Sequence, residues 1–148
     1  MKGGEAVIET LLAHGVDTAF TVPGESFLYA LEGMRRHADK IRTVSVRQEG
    51  GGSFMAEAFG KLAGRPAALF VSRGPGSSNA AIGVHTAMQD STPMLVFVGH
   101  VNSASMGRES FQEIDQRAFF GSVAKAVLAT EDVDAIPALT ADAVRLAT

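Results

Sequence analysis

Residues 67–71 (Ala-Ala-Leu-Phe-Val) and 94–98 (Met-Leu-Val-Phe-Val) are apolar at every position. A strand without a polar face has to be covered on both sides, as a central strand of a parallel sheet is. Around these runs the hydrophobic period changes to that of helices. Residues 5–14 place Val7, Ile8, Leu11 and Leu12 on one helical face, and Gly15 follows where a helix C-cap is expected. Phe27, Leu28, Leu31 and Met34 mark a second amphipathic helix, residues 53–63 a third that ends at Gly64, and residues 77–89 a fourth. Residues 18–22, stopped by Pro23 and Gly24, and residues 41–46 read as two more strands, and residues 123–128 as a fifth. Residues 110–120 read as a helical turn, and Asp132 as the cap of a final helix reaching Leu146, with Pro137 in its first turns. Strands alternating with helices imply βαβ crossovers. The expected fold is a three-layer α/β/α arrangement: a mainly parallel sheet of five or six strands, helices on both faces, and 67–71 and 94–98 as central strands.

The 148 residues suffice for one domain with one core, so residues 1–148 are expected to form a single unit. With 13 basic against 16 acidic residues and no basic cluster longer than Arg35, Arg36 and His37, the chain offers no electrostatic footprint for nucleic acid. The absence of cysteine excludes a disulfide frame and a thiolate metal site. His14, His37, His85 and His100 lack metal-ligand spacing, so no metal ligand is assigned. The run 94–98 is far shorter than the roughly twenty residues of a spanning helix. The first residues lead into an amphipathic helix rather than a signal-peptide core, and a cytoplasmic setting is expected. The methionines, Met34, Met55, Met88, Met94 and Met106 among them, fall mainly at positions read as core.

In a parallel sheet the segments after the strands share one edge, and ligands collect in the crevice outside the carboxyl ends. Four segments qualify: residues 23–26, residues 48–50, residues 72–79 and residues 99–102. Glu49 stands where the strand 41–46 gives way to Gly50, Gly51 and Gly52, as a site carboxylate or as a first-turn acid favoured by the helix dipole. The segment Gly74-Pro75-Gly76-Ser77-Ser78-Asn79 lacks the Gly-Lys-Ser/Thr ending of a P-loop and has Asn79 where a dinucleotide fingerprint has glycine. A Pro-Gly turn with Ser77 as helix cap accounts for the same residues. His14 and His37 read as helix-end surface residues and His85 as a helix-face residue, while His100 is a candidate rim residue. Phe111, Gln112 and Glu113 combine an aromatic, an amide and an acid after a glycine-bearing loop; the alternative places Phe111 and Ile114 in the core.

Val22-Pro23-Gly24, Arg47-Gln48-Glu49, Phe54-Met55-Ala56-Glu57-Ala58-Phe59, the segment from Gly74 to Asn79, Asp90-Ser91-Thr92-Pro93 and Phe111-Gln112-Glu113 occur in this order. Together they resemble the N-terminal pyrimidine-binding domain of thiamine diphosphate (TPP) enzymes, and most of all that of acetolactate synthase large subunits. The resemblance runs over nearly the whole chain. It implies that Glu49 is the glutamate that hydrogen-bonds N1′ of the cofactor's aminopyrimidine and favours its 4′-imino tautomer. Physical chemistry suits that role, since a carboxyl in a water-poor cleft keeps its proton to higher pH than in water. The resemblance further implies that Pro23, Gly24 and Glu25 line the pyrimidine pocket, that Pro75 and Asn79 flank the cofactor, and that Phe111 and Gln112 lie near the thiazolium and the substrate. Lys125 aligns with a lysine of the synthases or is a strand-end charge.

Three departures concern the substrate rather than the cofactor: Gln48 where a histidine is common, Gly50 where glutamine is usual, and Glu25 where a small residue is usual. The family holds its Mg²⁺-diphosphate with Gly-Asp-Gly followed by paired asparagines in a second domain, and neither motif occurs here. The resemblance therefore implies a partner, the diphosphate-binding domain of another protomer or subunit, and a homo-oligomer. The chain is expected to be an excised domain or a small subunit. FAD, present in many synthases, is bound mainly by a domain outside this segment. The implied function is the pyrimidine half of a 2-oxo acid decarboxylase and carboligase of the kind used in branched-chain amino acid biosynthesis. A related TPP lyase or decarboxylase, and a non-catalytic TPP-binding or assembly module, are the alternatives.

Overall fold

Every residue of β3 (Ala68–Val71) is buried. Its backbone groups are accordingly paired on both sides, with β1 (Thr18–Thr21) and with β4 (Leu95–Val98), both in parallel. β2 (Arg42–Ser45) adds to the other side of β1, giving the order β2-β1-β3-β4. The computed structural model describes residues 1–148. The helices are α1 (Gly3–Ala13), α2 (Leu28–Arg36), α3 (Glu49–Ala63), α4 (Gly74–Gln89), the short α5 (Gln116–Phe120) and α6 (Ile136–Ala147). Three 3₁₀ turns, Glu25–Phe27, Ser103–Ser105 and Val133–Ala135, complete the regular structure.

Side chains alternate across the sheet and build a core on each face. Ala68 and Phe70 point to one side, where Ile8 and Leu11 of α1, Ala30 and Met34 of α2 and Val144 of α6 cover them. Phe70 stacks on Phe97 with ring centroids 4.9 Å apart. Leu69 and Val71 point to the other side, against Ala56 of α3 and Ala80 of α4. The expected three layers are thus present.

Several expectations are corrected. The sheet has four strands, not five or six, because residues 123–128 form turns and irregular chain. There the Arg117 guanidinium donates to the carbonyls of Val127 and Ala129, so these groups are held by a side chain instead of a ladder. The run 94–98 yields an edge strand, with Val96, Phe97 and Val98 only partly buried. Of the methionines, Met34 is buried, whereas Met55, Met88 and Met106 are exposed, as is Leu28 of α2. Element ends shift as well: α3 starts at Glu49 rather than at residue 53, and α4 at Gly74, so Arg73, not Ser77, is its N-cap. Asp132 caps the 3₁₀ turn that leads into α6, its side chain accepting from the Asp134 N–H.

The order of the strands has a geometrical consequence. The chain moves outward from β1 to β2, then crosses back over β1 to β3 and continues to β4. α2 accordingly packs on one face and α3 and α4 on the other. The connections leaving β1 and β3 therefore part in opposite directions, which opens a crevice between their carboxyl ends.

α3 and α4 approach closely because small residues face each other. A Cβ placed on Gly83 would lie 2.3 Å from Ser53 Oγ and 2.8 Å from the Ser53 carbonyl carbon, and Ser53 is fully buried. Gly83→Ala is therefore expected to destabilise the chain by about 1–3 kcal/mol in urea unfolding, although alanine is the better helix former by up to about 1 kcal/mol. Gly51 in α3 has open space around it. Gly51→Ala is expected to be neutral or to stabilise by up to about 1 kcal/mol.

Candidate functional site

The loops at the carboxyl edge of the sheet carry the residues singled out from the sequence. Glu49 opens α3, with Gln48 as N-cap accepting from the Gly51 N–H at 2.9 Å. A carboxylate in the first turn is favoured by the N-terminal partial charge of the helix, so the first-turn reading of Glu49 holds. Its Oε2 accepts a 2.9 Å hydrogen bond from Asn79 Nδ2 on α4. Oε1 has no hydrogen bond within the chain. Glu49 is half-buried, so the rim is open to water on that side.

Glycines let the loops meet. A Cβ on Gly50 would lie 2.8 Å from Gln48 Oε1 and 3.1 Å from the Asn79 carbonyl oxygen. One on Gly24 would lie 3.2 Å from Ser72 Cβ, which places the loops after β1 and β3 in contact across the crevice. The Gly74 N–H donates to the Gln112 carbonyl at 2.9 Å, tying the segment around Phe111 to the start of α4. Gln112 holds φ 61, a left-handed conformation uncommon for a side chain of its size. Phe111 is 72% exposed rather than part of the core, and lies over the Arg73 guanidinium. Glu25 pairs with Arg73, Nη1 to Oε1 2.7 Å. Pro23 and Pro75 are exposed on the two sides of the crevice.

Buried polar atoms without partners concentrate at this edge. Of five such atoms, Ser26 Oγ, Arg73 Nε, His100 Nδ1 and Gln116 Nε2 belong to segments that follow the strands or to α5 packed beside them. Native proteins pair most buried polar groups, with protein or with ordered water. Gln116 also accepts from Ser77 Oγ at 2.9 Å, which ties α5 to α4. No motif in the sequence singles out Arg73 or Gln116. An arginine among the small residues Ser72, Gly74 and Gly76 was the available signal. Lys125 is not at this edge: its Nζ donates to the Leu146 carbonyl near the end of α6. His14 is exposed at the end of α1, and His85 is exposed on α4.

Glu49 and Asn79 are hydrogen-bonded between the starts of α3 and α4, on the edge where the β1 and β3 loops meet at Gly24 and Ser72. Residues 1–119 match the family described as thiamine pyrophosphate enzyme, N-terminal TPP binding domain. The chain belongs to this family. Acetolactate synthase 3, chloroplastic, of Brassica napus is 34% identical over 147 residues, which is 99% of this chain and 22% of that protein. Acetolactate synthase of Bacillus subtilis (strain 168) is 32% identical over 99% of this chain and 25% of its own length. Sulfoacetaldehyde acetyltransferase of Rhodobacter capsulatus is 36% identical over 120 residues, 81% of this chain and 20% of its own length. The chain thus spans about a fifth to a quarter of the relatives it matches. As a TPP-binding domain it has no helix long and apolar enough to cross a membrane.

The segment of this TPP-binding domain beside the crevice is held by a carboxylate. Glu113 accepts N–H bonds from Gly107 at 2.7 Å and Ser110 at 3.0 Å, and these hold its pKa below the ordinary 4.5. Because the folded-state value is lowered, the stabilisation is complete above the unfolded value and is lost as pH falls through the lower folded one. The Gly107 and Ser110 amides are expected to be protected from hydrogen exchange at pH 6 and still at pH 4.5, and to lose protection only as pH falls through the lowered folded value. Glu113→Gln, which keeps one acceptor oxygen and puts an NH₂ donor in place of the other, should lose the protection of one of the two amides at pH 6 already.

Proposed function

We propose that this chain holds the aminopyrimidine half of thiamine diphosphate in an acetolactate synthase-like enzyme that decarboxylates a 2-oxo acid and joins the product to a second carbonyl compound. One observation carries the proposal: Glu49 is fixed through Oε2 by Asn79 and keeps Oε1 free at the rim of the crevice. A carboxylate held in this way can share a proton with a ring nitrogen presented to Oε1, and glutamate has the reach that aspartate lacks by one methylene. Bound thiamine diphosphate supplies the acidic thiazolium carbon that adds to the 2-oxo acid. The protein's part is to hold the N1′ proton on Glu49 and to line the ring's pocket with Pro23, Gly24, Glu25, Pro75 and Asn79. Phe111 and Gln112 lie toward the substrate.

The diphosphate and its Mg²⁺ fall to a partner domain in this reading. The same two helices that carry Glu49 and Asn79 expose Phe54, Met55 and Ile82. An apolar face beside a half-open site suits closure by a second domain, in the same polypeptide or in another copy.

The full-length protein with thiamine diphosphate, Mg²⁺ and pyruvate tests the proposal. Acetolactate as product supports the synthase reading, and acetaldehyde supports a related decarboxylase. Glu49→Gln is expected to lower kcat by about 10²–10⁴-fold, the usual worth of a positioned acid or base. Wild-type turnover by Glu49→Gln would refute the role given to Glu49.

A further inference from the structure

Glu25 and Arg73 face each other across the crevice where the strand order reverses, one after β1 and one after β3. Their exposures are unequal: the Arg73 side chain is 12% exposed and that of Glu25 70%. Arg73 Nε is buried and donates to nothing. The Phe111 ring lies with its centroid 5.8 Å from the guanidinium carbon and is itself mostly exposed.

A guanidinium does not shed its proton, so burial leaves it charged. Withdrawing such a charge from water costs several kcal/mol unless its donors are met. Here the counter-charge is a single oxygen of a carboxylate that stands mostly in solvent, which screens its attraction. The fork of Arg73 is therefore under-compensated, although its geometry suits two parallel hydrogen bonds to one anionic group. A purely structural pair would be expected to satisfy Nε as well. The location is equally informative, because the crevice at a strand-order reversal is where ligands of parallel sheets bind.

We propose that Arg73 is the receptor for a second anionic group on the substrate, a carboxylate or sulfonate beyond the reacting centre, and that Glu25 is a displaceable internal occupant of that receptor. When the substrate's anion arrives, Glu25 swings into the solvent it already faces. Phe111 covers the guanidinium and keeps water from competing. The preferred substrates or acceptors therefore carry a distal negative charge rather than an aliphatic tail. The inference rests on the function proposed above, in that the substrate is taken to reach the same crevice as the cofactor.

The test uses the full-length protein and calorimetric titration with malonate, a small unreactive dicarboxylate, against malonamide, its neutral isostere. Malonate is expected to bind and malonamide not. Glu25→Gln removes the internal competitor and should tighten malonate binding by up to about fivefold, the upper end of the range for an exposed ion pair. Arg73→Gln should weaken it at least tenfold. The 2-oxo acid that the protein turns over should displace malonate competitively. Equal binding of malonate and malonamide, unchanged or weaker malonate binding by Glu25→Gln, or non-competitive displacement would overturn the proposal. The Glu25→Gln arm stands even where Arg73→Gln fails to fold. Glu49→Gln should alter thiamine diphosphate binding and not malonate binding, so the anion receptor and the pyrimidine role fail separately.

Discussion

The parallel pairing of β3 with β1 on one side and β4 on the other governs the molecule. A strand buried along its whole length needs partners for every peptide group and cover on both faces, and this chain provides both only through crossover helices. Since β2 lies outside β1, the path from β2 to β3 has to pass back over β1. The helices after β1 and after β3 thereby fall on opposite faces, and the loops between them part. The crevice is thus a result of packing, and the residues in those loops inherit it.

What fills the crevice edge depends on small residues. Gly24 allows the β1 loop to touch Ser72, Gly50 allows α3 to begin against Asn79, and Gly83 lets α3 and α4 close on Ser53. A larger residue at Gly50 would press on the Asn79 backbone, and one at Gly83 would push α3 and α4 apart at Ser53. The polar groups are held at their backs: Asn79 fixes Glu49, Gln116 is tied to Ser77, and Glu113 secures its own loop. Near the same edge, Ser26 Oγ, Arg73 Nε and His100 Nδ1 are buried without a hydrogen-bond partner in the chain.

The three-layer fold was legible because its signals are local. Apolar runs and helical periods need no knowledge of neighbours, and α1, α2 and the covered faces of β3 follow from them. Glu49 was legible for the same reason, as the end of a strand and the start of a helix are both written around it. The position of a strand within the sheet is a different matter. Residues 94–98 and 67–71 have equally apolar sequences, yet one lies at the edge and one in the centre, because that depends on which other strands are present. Residues 123–128 have strand-like composition but their carbonyls are taken by Arg117, a contact invisible in the segment itself. The exposed Met55, Met88 and Phe111 were read by residue type as core or as ambiguous. The ion pair of Glu25 with Arg73 joins two loops distant in the chain, and burial of the arginine emerges only when β1 and β3 are placed side by side.

The central claim is that Glu49 shares a proton with the pyrimidine ring of thiamine diphosphate. The most direct measurement is the ¹⁵N chemical shift of N1′-labelled thiamine diphosphate bound to the full-length protein, compared with Glu49→Gln. The account predicts the shift of a protonated or strongly hydrogen-bonded N1′ at pH 7 in the wild type and that of a free ring nitrogen in the variant. The same N1′ shift in both proteins would contradict it.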